Sequence, residues 1–331
     1  MNNIAAYPLR VQPHFRDYLW GGRKLQSRLG KTLPDKGLWA ESWELIDHPE
    51  HSSLVANGEL AGKSLREISR ISPQWLLGQR RQDGESPSLP LLLKYLDCQR
   101  VLSVQVHPDD VYAQAMVPPD LGKTEAWYII DAEPGSVLYA GLQPGVTSEA
   151  LREAIASGTV ENCLHKIEPQ PGDCIFIPAG TVHALGAGLL VAEIQQASNT
   201  TFRLFDWNRV DANGQPRMLH IDQALQVIDF ESGPRALQIP QPTEQAGRER
   251  MVGCNKFCLD RLAAHDDAYK IASDGNFHFL TAPGGGVELR GETFETMQLR
   301  IGESVLIPAA MHALQAVIQP GAILLDMYVG E

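Results

Sequence analysis

The stretch Gly172-Asp173-Cys174-Ile175-Phe176-Ile177-Pro178-Ala179-Gly180-Thr181-Val182-His183-Ala184-Leu185 returns near the C-terminus. There it reads Gly302-Glu303-Ser304-Val305-Leu306-Ile307-Pro308-Ala309-Ala310-Met311-His312-Ala313-Leu314, one residue shorter. Each copy spells a Gly turn, a short apolar strand, a Pro turn and a His that leads into the next strand. Such a repeat, with its copies far apart, restricts the chain to two related β-rich units.

The rest of the sequence agrees. Strand-like runs occur at Val101–Val106, Ala126–Asp131, Ser136–Tyr139, Leu189–Ile194, Thr201–Trp207 and Phe277–Thr281, besides the two repeat strands. Turns such as Glu133-Pro134-Gly135, Gln143-Pro144-Gly145 and Pro283-Gly284-Gly285-Gly286 divide them. Many short strands with regular turns predict a mainly β chain built as β-barrels or jelly rolls. Helical signals are few: Thr147–Ser157, behind a Thr cap, and short segments at Ser64–Ser69, Pro73–Gly78 and Asp222–Ile228. The Pro- and Gln-rich stretch Pro234–Arg250 reads as a linker. The expected division is therefore a first domain over 1–235, with N-terminal strands and a helical insertion near 147–165, and a second over 236–331.

The chemistry gathers in the first unit. Val101 to Asp110 alternates apolar and polar residues, the period of a half-buried strand. Leu102, Val104 and Val106 would face one way, and Ser103, Gln105 and His107 the other. Glu125 follows in Gly122-Lys123-Thr124-Glu125-Ala126-Trp127-Tyr128, and His183 closes the repeat. Two imidazoles, a carboxylate and an amide oxygen from three strands can meet around one cation and leave positions open. That is the pattern of a catalytic metal site, with Zn²⁺ the leading ion and Mn²⁺, Fe²⁺ or Co²⁺ compatible. The second copy has no Gln/His pair ahead of His312. Phe277-His278-Phe279 has no acid at a matching spacing, so the second unit is expected to be structural, without a metal site.

With 28 Lys and Arg against 40 Asp and Glu, the formal net charge is −12. Such a chain repels nucleic acid and anionic membrane in bulk, so neither is an expected partner. An anionic substrate would need a local cluster of Lys and Arg to offset this field. Met1 to Arg10 shows no charged segment followed by an apolar core, and the apolar run Ala184–Ile194 is too short to span a bilayer. The five cysteines form no CxxC pair and read as free thiols. A cytoplasmic protein is expected, and no obligate protein partner is evident.

These residues carry a resemblance. Gln105-x-His107-Pro108-Asp109-Asp110, Gly122 to Tyr128, Pro178 to Leu185, and Glu193-Ile194-Gln195-Gln196-x-Ser198-x-x-Thr201-Phe202-Arg203-Leu204-x-Asp206-Trp207-x-Arg209 resemble the type I mannose-6-phosphate isomerases in their short bacterial form. The likeness runs from Trp20-Gly21-Gly22 and Glu41-Ser42-Trp43-Glu44 through Arg209, with weaker support beyond. It implies two cupin-type (jelly-roll) barrels and a metal-dependent aldose–ketose isomerase. The implied reaction converts mannose 6-phosphate and fructose 6-phosphate through a cis-enediol. Implied metal ligands are Gln105, His107, Glu125 and His183, the same set as above, and Arg203 matches the family's active-site arginine. Glu193 falls at the metal site, either as a proton carrier or as a group that orients Arg203 or a ligand His. Lys94, Lys123 and Arg203 would hold the sugar phosphate, with Lys123 or Arg203 also stabilising the oxyanion. Ser103 could add a hydroxyl contact or a plain core hydrogen bond. One position departs: longer members place a His before the Lys of the Lys-x-Glu segment, and here that residue is Gly122. Two other readings are a non-catalytic sugar-phosphate-binding cupin and an Fe²⁺-dependent cupin dioxygenase.

Overall fold

Gly172 and Gly302 adopt φ of 96° and 76°, the left-handed region that a Cβ disfavours. Each starts the strand expected after it, Cys174–Ile177 and Ser304–Ile307. The likeness extends to pairing: Ile177 lies opposite Glu125, and Ile307 opposite His278. The repeat is thus a repeat of topology. The structure, a computed structural model, describes residues 4–78, 88–210, 213–272 and 274–329.

The described strands are paired antiparallel in stacked layers. In the first unit a six-stranded sheet runs in the order Cys174–Ile177, Glu125–Ala132, Leu189–Gln196, Leu91–Cys98, Glu41–Leu45, His14–Arg16. It faces a five-stranded sheet ordered Leu164–Ile167, Leu138–Leu142, His183–Leu185, Val104–Val106, Phe202–Phe205. Trp127, Ile129, Ile177 and Val191 from one sheet and Leu138, Ala140 and Leu185 from the other share one buried cluster. In the second unit a seven-stranded and a four-stranded sheet enclose Leu262, Leu280, Ile307 and Leu324 against Ile271, Val287 and Leu314. Outward residues of the two largest sheets, among them Tyr95, Ala192 and Ile194 against Phe279, Leu306 and Met327, join the units in a further core. The chain is therefore mainly β with short helices, as expected.

Helices cover the outside of the five-stranded sheet. Ser148–Ser157 begins where Thr147 Oγ1 accepts from Ala150 N at 3.2 Å. It buries Leu151, Ala154 and Ile155 against the face that carries Val104 and Leu204. At roughly 1.5–3 kcal/mol per fully buried large apolar side chain, this face outweighs the helix's own weak propensity. The short helix Leu65–Ile71 carries a full capping box between Ser64 and Glu67.

Three expectations need correction. Regular pairing covers Val104–Val106 and not the whole of Val101–Val106, and Leu102 packs inside the barrel while Val104 and Val106 pack against the helices. The cause is tertiary: Leu102 N donates to Leu185 O and Leu102 O accepts from Trp207 Nε1, which breaks the alternation. The Pro234–Arg250 stretch is not simply a linker. Gln241–Pro242 pairs with Glu249 and Arg250 at the edge of the seven-stranded sheet, a position that tolerates Pro. Finally, Leu9–Arg10 pairs with Val305 and Leu306, so the first strand crosses to the second unit and covers its other edge.

Candidate metal centre

Glu125 and His183 each open a strand, and His107 directly follows one, so all three side chains enter the first barrel at one end. All three are buried, and their ligating atoms lie within 4.8 Å of one another. Gln105 is the strand partner of His183. Backbone carbonyls fix both rings. His107 Nδ1 lies 2.9 Å from Thr200 O, and His183 Nδ1 lies 2.8 Å from Thr181 O. A carbonyl only accepts, so each Nδ1 carries the proton and each Nε2 is left with its lone pair. Those Nε2 atoms face Glu125, at 3.6 Å for His107 and 3.3 Å for His183.

Electrostatics keep the rings neutral. Burial, then the Lys123 charge, holds His107 well below the usual imidazole range. Burial pulls His183 down to about 4 against the Thr181 hydrogen bond. Glu125 is pushed up to about 7 by burial, against the pull of Lys123. Glu125 Oε1 and His183 Nε2 are buried without a hydrogen-bond partner. Two neutral imidazoles whose Nε2 lone pairs face Glu125, that of His107 shared with Lys123 Nζ and that of His183 without a partner, stand beside a carboxylate that resists ionising unaided, a donor set that a divalent cation satisfies.

The remaining expected residues line one cavity of about 300 Å³: Lys94, Ser103, Gln105, Lys123, Glu193 and Arg203. Lys123 Nζ sits 2.8 Å from Glu125 Oε2 and 3.0 Å from His107 Nε2. Lys94 Nζ lies 3.3 Å from Glu193 Oε1 and 4.0 Å from Glu41 Oε2. Trp127 Nε1 donates to Glu193 Oε2 at 2.9 Å. Burial would raise the Glu193 pKa, but Lys94 and Lys123 outweigh it, so this carboxylate is held ionised. Arg203 Nε donates to Ser103 Oγ at 3.3 Å and its Nη1 to Met218 O at 2.9 Å. Ser103 therefore orients Arg203.

Sequence reasoning missed several contributors. Trp127, two residues beyond Glu125 on the same strand, is one of them. Asp120 accepts from Ser198 Oγ at 2.8 Å and Thr200 Oγ1 at 2.7 Å, and so fixes the turn that presents Thr200 O to His107. Nothing in its local sequence marks it. Gly122 is explained by space. A Cβ there would lie 2.5 Å from Asp110 N and 2.6 Å from Asp109 C, so the approach of two backbones demands glycine.

The second barrel departs from expectation in one respect. His278 does have acids beside it: Nδ1 is 2.7 Å from Asp326 Oδ1 and Nε2 is 3.1 Å from Asp274 Oδ1. The register makes the comparison exact in position. His278 stands where Glu125 stands in the first barrel, and Asp326 where Glu193 stands. Asp326 came from a strand too distant in sequence for a spacing argument to find. Arg248 also bridges Asp260 and Asp326, at 2.7 and 2.8 Å. The same interior face is occupied by ion pairs among its own residues.

Residues 9–131 match the family model for the catalytic domain of type I phosphomannose isomerase. The mannose-6-phosphate isomerase ManA of Bacillus subtilis (strain 168) is 40% identical over 231 residues, 70% of this chain and 71% of that protein. A mannose-6-phosphate isomerase of Streptococcus mutans is 39% identical over 223 residues, 67% of this chain and 68% of that protein. The crystal structure of the mannose 6-phosphate isomerase from Bacillus subtilis superposes with a TM-score of 0.87 at 31% identity, covering 98% of this chain and 99% of that one. A phosphomannose isomerase variant from Salmonella typhimurium shares the fold, with a TM-score of 0.81 at 17% identity. Among the described residues no helix is long and apolar enough to cross a membrane. A cluster of side chains able to hold a metal ion and a cupin-type fold thus occur together in a chain that belongs to the type I phosphomannose isomerase family.

Proposed function

We propose that this chain interconverts mannose 6-phosphate and fructose 6-phosphate, using one divalent ion, with Zn²⁺ the best fit, held by Gln105, His107, Glu125 and His183. The observation that carries this reading is the convergence of two carbonyl-locked imidazoles and a buried carboxylate, with Lys123 against both His107 and Glu125 and also lining a cavity with Gln105 and Arg203. The substrates differ only in the carbonyl position, C1 or C2. A proton must leave one carbon and return to the other, and the cis-enediol between them carries negative charge on oxygen. When bound, a divalent ion supplies Lewis-acid polarisation of the carbonyl and its neighbouring oxygen.

The chain's own residues supply the rest. Lys123 and Arg203 face the cavity as cations and stabilise the developing oxyanion. Glu193 is the ionised carboxylate on that wall, so it is in the accepting state. Being ionised, it can take the proton from one carbon and give it back to the other. Lys94 and Trp127 hold its two oxygens, which fixes its direction. The first barrel, residues 1–235 less the exchanged first strand, forms this site, and the second serves as structural support.

A coupled assay for fructose 6-phosphate tests the reading. Wild type is expected to turn over mannose 6-phosphate and to lose activity on chelation. Arg203→Ala is expected to lose rate by about 10²–10³-fold with its metal content unchanged, the scale for a lost oxyanion donor. Unchanged turnover after verified metal removal contradicts the proposal.

A further inference from the structure

We propose that Arg217 is the phosphate-holding residue of the cavity, so that the sugar lies with its carbonyl end at the metal centre and its phosphate at the Arg203–Arg217 end. This rests on the isomerase reading above. Arg217 lines the catalytic cavity, and also a neighbouring one of about 370 Å³ walled by Tyr18, Trp20 and Asp206. It therefore stands where the two spaces meet, away from the buried ligands.

Charge decides the orientation. At the metal end Glu41, Glu125 and Glu193 face Lys94 and Lys123, three acids against two ammonium groups. Both lysines are already paired there, Lys123 at 2.8 Å and Lys94 at 3.3 Å from a carboxylate oxygen. A phosphate placed among them would have to displace a carboxylate from each lysine. At the other end the cations are less committed. Among the described residues Arg203, Arg209 and Arg217 stand with two carboxylates, Asp206, which pairs with Arg209 and Arg217, and Asp17 on the wall of the neighbouring cavity. Among the described residues the Arg203 guanidinium bonds only Ser103 Oγ and Met218 O, neither of them charged. Asp206 takes Nε of Arg217 at 2.8 Å and Nη2 at 2.5 Å, a bidentate pair that leaves Nη1 outside it. Burial, then the Arg217 charge, lowers the pKa of Arg203, as expected when two guanidinium groups sit close together. Two cations brought together with one carboxylate anchoring the outer one form a receptor for a dianion.

The test uses the intact, metal-loaded chain and the variants R217Q and R217K, with metal content and thermal stability measured alongside. Loss of a charge-assisted contact to phosphate is expected to raise KM for mannose 6-phosphate by about 10–100-fold in R217Q, with kcat within about threefold. R217K keeps the charge but loses the fork, so its KM is expected to rise severalfold. Competitive inhibition by inorganic phosphate should weaken in parallel, while slow turnover of unphosphorylated mannose stays as in wild type. A KM and phosphate inhibition unchanged in R217K and R217Q overturn the assignment, as does an equal loss on mannose and its phosphate. If R217Q does not fold, R217K alone decides by the same two readouts. Direct calorimetric binding of inorganic phosphate to wild type and R217K separates the two claims. Absent turnover with Arg217-dependent phosphate binding sinks the isomerase reading and spares this one.

Discussion

His278 offers a measurement that reaches the second barrel without touching the metal centre. Its ring is buried between Asp326 and Asp274, at 2.7 and 3.1 Å. Burial disfavours its charge, but Asp326 and Asp274 outweigh burial and push its pKa from 6.5 up to about 9. The folded value exceeds the unfolded one, so protonated His278 stabilises the fold. That contribution is fully present below about pH 6.5 and is lost as pH rises through about 9. At about 1.4 kcal/mol per pH unit, the whole contribution is at most roughly 3 kcal/mol. Urea denaturation of wild type and His278→Gln, from near pH 6 to about pH 10, measures it. The stability gap between the two is expected to be roughly 3 kcal/mol near pH 6 and to close on going alkaline. The subtraction matters because the buried thiols of Cys98 and Cys174, raised by burial, also cost stability at alkaline pH in both proteins. A gap that stays constant across this range refutes the ion-pair account of the second barrel.

Further variants probe the first barrel. Gly122→Ala forces a Cβ to within 2.6 Å of backbone at Asp109 and Asp110; a loss of about 1–3 kcal/mol in stability, with kcat reduced through displaced Lys123 and Glu125, is expected in thermal melts and kinetics. Trp127→Phe removes the only described side-chain donor to Glu193 Oε2; a kcat lower by about tenfold and an upward-shifted acid limb in the pH–rate profile are expected, because the ionised form loses a hydrogen bond. Asp120→Ala frees the Ser198–Thr200 turn behind His107; metal affinity is expected to fall by about 10–100-fold in a chelator competition, with little change in global stability.

Much of the fold could be read before the structure because its signals were local. The strands Cys174–Ile177 and Ser304–Ile307 are bounded by glycine and proline, and the Thr147 cap marks a helix start; both kinds of signal need only neighbouring residues. The central residues were legible through chemistry: imidazole, carboxylate and amide side chains at strand spacing have few joint uses. What stayed hidden is long-range or made of backbone. The carbonyls of Thr181 and Thr200 set both histidine tautomers, yet a carbonyl carries no sequence signal. Asp326 reaches His278 across two strands, and Leu9 pairs with Leu306 from the opposite end of the chain. Arg217, in Gly214-Gln215-Pro216-Arg217, reads as a solvated turn residue until Asp206 is seen beside it. Leu102 shows the opposite failure, a clean alternation overridden by hydrogen bonds to Leu185 and Trp207.

The most direct test of the whole account is the divalent metal content per chain, by plasma mass spectrometry, of wild type and of His107→Ala/His183→Ala, each set against its turnover of mannose 6-phosphate. We expect about one tightly bound ion per wild-type chain, almost none in the double variant, and activity that tracks occupancy. A double variant that keeps its ion, or an ion-free chain that isomerises at the wild-type rate, contradicts the centre described above.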